Sequence, residues 1–120
     1  MGDTLDSARL LSWEPEAGFP YDPHVWNDVQ LWKGVVETIR DTLVAADPAN
    51  AEAYSANAGS YLAQLDELDA YIKEQAARIP PERRVIITAH DAFGYFARAY
   101  GFEVEAVQGI STQSEASTAD

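Results

Sequence analysis

The stretch VIITAHDAFGYFARAYGFEVEAV, residues 85–107, decides the fold class. VIITA (85–89) is a β-branched run of strand length that reads as a buried strand. It passes directly into HDAFGYFARAYG, a short helix with Asp91 as its expected cap and Gly101 as its stop. FEVEAV (102–107) then returns to strand character. Strand, helix, strand is the opening of a parallel α/β unit. In open sheets of this kind ligands bind beyond the carboxyl ends of the strands, where His90 stands.

Upstream, the hydrophobic period is helical. Val29, Trp32, Val36, Ile39 and Leu43 step by three and four, with Asp28 as the expected N-cap. ADPAN ends this helix and starts the next, with Asp47 as expected N-cap and Pro48 at the first helical position. Tyr54, Ala58, Tyr61, Leu65, Leu68 and Ile72 carry the second stripe until Pro80 and Pro81. From Pro48 to about Arg78 that helix would be ~45 Å long, beyond the usual globular length. Glu52, Gln64, Glu67, Lys73 and Glu74 form its wet face, and the pairs Asp66/Asp69 and Glu67/Glu74 read as solvated carboxylates. Before the helices, ARLLSWE (8–14) reads as a short strand and PEAGFPYDP as a loop. The whole is a helical hairpin followed by half an α/β domain.

Composition narrows the function classes. Twenty acids against eight bases leave a net charge of −12 over 120 residues, which disfavours nucleic acid and anionic membrane surfaces. There is no cysteine, so thiol catalysis, disulfide scaffolds and cysteine-ligated zinc are excluded. No apolar run reaches the ~20 residues that span a bilayer, and MGDTLDSARLLSWEPEAG lacks the basic start and apolar core of a signal peptide.

Catalytic constellations are missing. No G-x-S-x-G elbow is present, Ser111 and Ser114 lie in a polar tail, and GISTQSEAS has neither the glycines nor the lysine of a phosphate loop. An α/β-hydrolase-like enzyme would need an ordered nucleophile near His90. Asp91, adjacent to His90, suits a helix cap better than an imidazole partner. Thr112 and Glu115 have capping-box spacing but no apolar run follows. The two histidines, His24 and His90, lie 66 positions apart, so spacing alone defines no metal site and leaves each open as a ligand or a packed ring. Trp26 and Trp32 read as core or helix-packing aromatics.

Three segments together resemble one family. DPHVWNDVQLW (22–32), AEAYSANAGSYLAQLDELDAYIKEQAARIPPERR (51–84) and VIITAHDAFGYFARAYGFEVEAVQGISTQSEAS (85–117) are similar to the zinc/manganese-type (TroA-like) solute-binding proteins of bacterial ABC importers. That resemblance implies two α/β lobes joined by a long rigid helix. Residues 1–46 would end the first lobe, 47–79 would be the interdomain helix, and 80–120 would open the second lobe. It implies His24 and His90 as metal ligands, one from each lobe, with Glu115 an outside candidate. It further implies a non-enzymatic metal-capture subunit working outside the cytoplasmic membrane with a membrane permease. Imidazole suits Zn2+ first, with Mn2+ or Fe2+ as alternatives.

Members of that family are more than twice this length, so the chain reads as a central fragment. A further ligand histidine would lie upstream and a carboxylate beyond Asp120. A strand at 85–89 deprived of its cover would expose apolar surface and unpaired edges, giving a molten second half or a homodimer that unites His24 and His90 from two chains. The competing expectation is a structural helical module that self-associates through its long helix, both histidines inert.

Overall fold

The computed structural model describes residues 5–12 and 20–108. Helix α1 spans Val29–Ala46, α2 Ala51–Ala77 and α3 Gly94–Tyr100, while strands β1 and β2 span Val85–His90 and Glu103–Gln108. Order and type follow the expected hairpin and strand–helix–strand unit. Thr112, Glu115 and the rest of the polar tail from residue 109 onward lie outside the described residues.

Asp28 caps α1 as expected, its carboxylate accepting from the N–H groups of Gln30 and Leu31. The α1 stripe is broader than the one read from sequence. Val29 and Val36 pack with Leu65 of α2 and Tyr100 of α3, and Trp32, Leu62, Ile72 and Phe96 close around them. Leu31 and Val35, on the adjoining face, are the more completely buried pair. Leu31 packs with Val25 and Tyr95, beneath Leu5, Leu10 and Leu11. Beyond Val36 the stripe opens: Ile39 and Leu43 are exposed and line an apolar groove of about 310 Å³ with Tyr54, Ala58 and Tyr61 of α2.

The long helix begins differently from the expectation. Pro48–Asn50 form one turn of 3-10 helix before α2; the Asp47 carbonyl accepts the Asn50 N–H at 3.2 Å, but its side chain makes no cap bond to that turn. Its carboxylate accepts instead from the Asn50 side chain at 2.8 Å and the Tyr54 hydroxyl at 2.9 Å, so it pins the turn through side chains. Those bonds hold the Asp47 carboxyl below its usual range. Along α2 the buried line is Leu65, Asp69 and Ala76, with Leu68 exposed. Asp69 is therefore not a solvated carboxylate. It faces inward because three donors meet it: Gln30 of α1, Lys73 one turn on, and Tyr100 of α3.

Two other expectations change. Ser7–Arg9 form a 3-10 turn, with the Asp6 carboxylate accepting from the Ala8 N–H, where ARLLSWE suggested a strand. Among the described residues of that stretch, Ser12 bridges an extended partner, Tyr21. Asp91 does not cap α3. The helix starts three residues later at Gly94, after Phe93, which makes no side-chain cap bond. The intervening turn is held from outside, by the Asn27 side chain donating to the Ala92 carbonyl at 2.7 Å.

Gly101 ends α3 with φ 73° and ψ 44°, the left-handed conformation that glycine adopts without steric cost. β1 and β2 pair in parallel, with Ile86 opposite Val104 and His90 opposite Gln108. Ile86, Thr88 and His90 form the half-buried face of β1. On its other face Val85 and Ile87 are exposed, Ile87 by 72%. The strand is thus covered on one face among the described residues, contrary to a fully buried strand.

Candidate metal centre

The turn that carries His24 is written into Asp-Pro-His. The Asp22 carboxylate reaches forward two residues and accepts the His24 backbone N–H at 2.8 Å, an Asx turn, while Pro23 fixes the intervening φ. His24 then leads a 3-10 turn over Val25–Asn27 that delivers the chain to Asp28 and α1. The same Asp22 oxygen lies 2.7 Å from His24 Nδ1. A carboxylate oxygen accepts, so Nδ1 is assigned the proton and Nε2 is left with its lone pair, the arrangement by which a second group orients a metal-binding imidazole. Both residues are buried.

His90 enters from the other half of the fold, as the last residue of β1. Its ring centroid is 5.3 Å from that of His24, with the planes at 77°. Two imidazoles sharing one tetrahedral ion at ordinary zinc–nitrogen distances place their centroids about 5 Å apart. The two rings lie at a separation compatible with a common ion. They do so within one chain, so no second copy is needed to bring them together. Trp26 is not a core residue: it is 55% exposed and meets the His24 ring edge-on at 5.2 Å. Trp32 is half-buried as expected and its indole N–H donates to the Tyr61 hydroxyl at 3.4 Å.

Behind His24 the two halves of the fold are joined by Tyr95. This side chain is fully buried on α3, and its hydroxyl donates to the Asp22 carbonyl at 2.8 Å. It accepts from the Leu11 N–H at 3.0 Å. Burial pushes the Tyr95 hydroxyl above its ordinary range, against the opposing pull of the Leu11 N–H, so it remains a donor at neutral pH. Arg98 sits 5.2 Å from the centre of the Tyr95 ring and donates to the Arg9 carbonyl at 2.8 Å. Sequence periodicity marked Tyr95 only as part of a helix. The available signal was its chemistry, since a buried tyrosine hydroxyl needs a partner.

Among the described residues no cluster of three or more histidine, aspartate or glutamate side chains with metal-binding geometry forms. His24 and His90 come together; Glu115 lies outside the described residues. Two neutral nitrogens can contribute half of a tetrahedral coordination sphere.

Several known proteins are similar to this chain in sequence and fold. The family model for ZnuA, zinc-uptake complex component A periplasmic, matches residues 2–120. The zinc-binding protein TroA of Treponema pallidum is 48% identical over 120 residues, covering all of this chain and 38% of that protein. The manganese-binding lipoprotein MntA of Bacillus subtilis is 43% identical over 98 residues, 82% of this chain and 32% of that protein. A solved structure of the periplasmic zinc-binding protein TroA from Treponema pallidum superposes with a TM-score of 0.89 at 46% identity, covering 98% of this chain and 42% of that one. The chain thus spans about two fifths of the length of that relative.

Proposed function

This chain belongs to the ZnuA family of periplasmic zinc-uptake components, and from that premise we propose that it carries part of the metal-capture site of an ABC importer's solute-binding subunit. The cargo is a divalent transition-metal ion. His24 and His90 each offer it one ring nitrogen, and capture is reversible coordination with no bond of the cargo's carrier made or broken. Zinc is the first choice for a site whose two assigned donors are imidazoles, with manganese or iron as the alternatives. Residues 1–46 belong to the first lobe, 47–79 to the connecting helix and 80–120 to the second lobe. The ion would then sit between lobes, and the remaining ligands would come from water or from protein outside the described residues. The subunit works outside the cytoplasmic membrane and hands its ion to a membrane permease. No helix among the described residues is itself long and apolar enough to cross a membrane.

The observation that carries this reading is the 5.3 Å approach of His24 and His90 from opposite halves of the fold. The Asp22–His24 bond supports it by leaving Nε2 as the ligand atom. Zinc titration of the native chain against a chromophoric chelator tests it, with His24→Ala and His90→Ala alongside. One ion bound per chain and lost in both variants is the expected result. Binding indifferent to both substitutions would return the chain to a structural helical module.

A further inference from the structure

We propose that Tyr95 is a positioning residue for the bound ion: its hydroxyl latches the Asp22–His24 turn onto α3, and the latch sets how long the ion is retained. This inference rests on the metal-capture function proposed above.

The hydrogen bonds form one connected path. Tyr95 donates to the Asp22 carbonyl at 2.8 Å, and the Asp22 carboxylate accepts from both the backbone N–H and Nδ1 of His24 at 2.8 and 2.7 Å. The Leu11 N–H donates to the same Tyr95 oxygen at 3.0 Å, while the Leu11 carbonyl accepts the Asp22 N–H at 3.0 Å. Leu11, Asp22 and Tyr95 thereby close a small ring of polar contacts behind His24. Tyr95 is separated from Asp22 by 73 positions in sequence and from Leu11 by 84, so this contact is between the two halves of the fold, not within one turn.

Other links cross the same seam, but they are wetter. Arg98 is 40% exposed, and the Asn27–Ala92 bond is only part-buried, so water can replace their contacts. Tyr95 has no exposure at all. Replacing it by phenylalanine removes the buried donor to Asp22 and the part-buried acceptor for Leu11. The adjoining backbone is equally close. A methyl group at Gly94 would lie 3.3 Å from Asp22 Oδ2 and 3.2 Å from Leu11 Cδ1.

Retention is the quantity that should respond. An ion held by two imidazoles dissociates stepwise, and after one nitrogen lets go the other keeps it near. Rebinding then depends on the effective concentration of the free imidazole, which falls when its backbone is loosened. Initial capture requires no such coincidence. A loosened His24 turn therefore shortens the lifetime of the bound ion and leaves association nearly unchanged.

Stopped-flow transfer of zinc from the intact native chain to a chromophoric chelator tests the latch. The comparison uses Tyr95→Phe, with Leu65→Ala as a control that weakens the α1–α2 core without touching the hydrogen-bond path. Tyr95→Phe should release zinc about tenfold faster, with association within about threefold of native, as loss of an orienting contact behind a ligand does. The visible absorption of bound Co(II) should shift in Tyr95→Phe and stay native in Leu65→Ala. Release within about twofold of native in Tyr95→Phe, or equal acceleration in Leu65→Ala, would overturn the latch. Should Tyr95→Phe fail to fold, Gly94→Ala decides by the same limits, because its methyl group presses on the side chains of Asp22 and Leu11, whose backbone groups hold the hydroxyl. His24→Ala separates the two levels. Zinc release unaffected by His24→Ala defeats the capture function and the latch together, whereas dependence on His24 with indifference to Tyr95 defeats the latch alone.

Discussion

The Tyr100 hydroxyl donates to Asp69 Oδ1 at 3.0 Å, joining α3 to the middle of the long helix. Gln30 of α1 and Lys73 supply the other oxygen at 3.0 and 2.7 Å, so one buried carboxylate ties three helices together. Burial and then the Asp69 bond push the Tyr100 hydroxyl well above its ordinary range, which keeps it a donor. Tyr100→Phe keeps the ring in the core beside Val29 and Leu65 but leaves Asp69 Oδ1 short of a donor. The expected loss is about 1–3 kcal/mol, read as a lower urea midpoint at unchanged slope. An unchanged midpoint would show that the tie contributes nothing.

The same carboxylate should make the fold acid-sensitive. Burial alone would raise the Asp69 carboxyl, but the bonds from Lys73, Gln30 and Tyr100 outweigh it and hold it below its usual range. The unfolded chain then takes up this proton at a higher pH than the folded one. Asp69 thus stabilises the fold fully above its unfolded value near pH 4, and that contribution disappears as pH falls through the lower folded value. Urea midpoints taken from pH 7 to pH 3 should fall more steeply for native protein than for Asp69→Asn. Parallel curves would assign the acid sensitivity to other carboxylates.

Much of the fold was legible because periodicity is a local property. Asp28 as cap, Gly101 as stop, the helical hairpin and the parallel strand–helix–strand unit are all written in short spans. What escaped depends on partners distant in sequence. Asp69 looked solvated because its neighbours on α2 are polar, and nothing local places Gln30 and Tyr100 around it. Leu31 and Val35 fall outside a single stripe because α1 packs on two sides. Asp91 looked like a cap, yet the turn is extended by a bond from Asn27, 65 positions away. For the candidate site, family resemblance pairs His24 with His90, whereas their spacing does not join them. Their meeting depends on the tertiary approach of β1 to the turn before α1.

Gly101 offers a backbone test away from the site. Its φ of 73° is the one positive value among the described residues. Alanine there would take on the left-handed penalty of about 1–2 kcal/mol, and its methyl group would sit 3.4 Å from the Arg84 guanidinium, which can yield. Gly101→Ala should therefore lower the unfolding free energy by that amount, read as a lower urea midpoint at unchanged slope, while zinc affinity stays native. A drop in affinity equal to that of a histidine substitution would mean that β2 and the His90 end of β1 are more tightly coupled than their pairing indicates.

The Asp22 carboxylate does two separable jobs, and substitution can divide them. Its acceptance of the His24 backbone N–H shapes the turn, and its acceptance of Nδ1 fixes the ring and strengthens Nε2 as a donor to the ion. Asp22→Ala removes both contacts and should weaken zinc binding about 10–100-fold. Asp22→Asn retains a carbonyl oxygen for the Asx turn but loses the negative charge beside the imidazole. It should recover only part of that loss. Equal affinity in Asp22→Asn and native protein would show that turn geometry alone matters. Affinity in Asp22→Ala within about threefold of native would remove Asp22 from the site altogether.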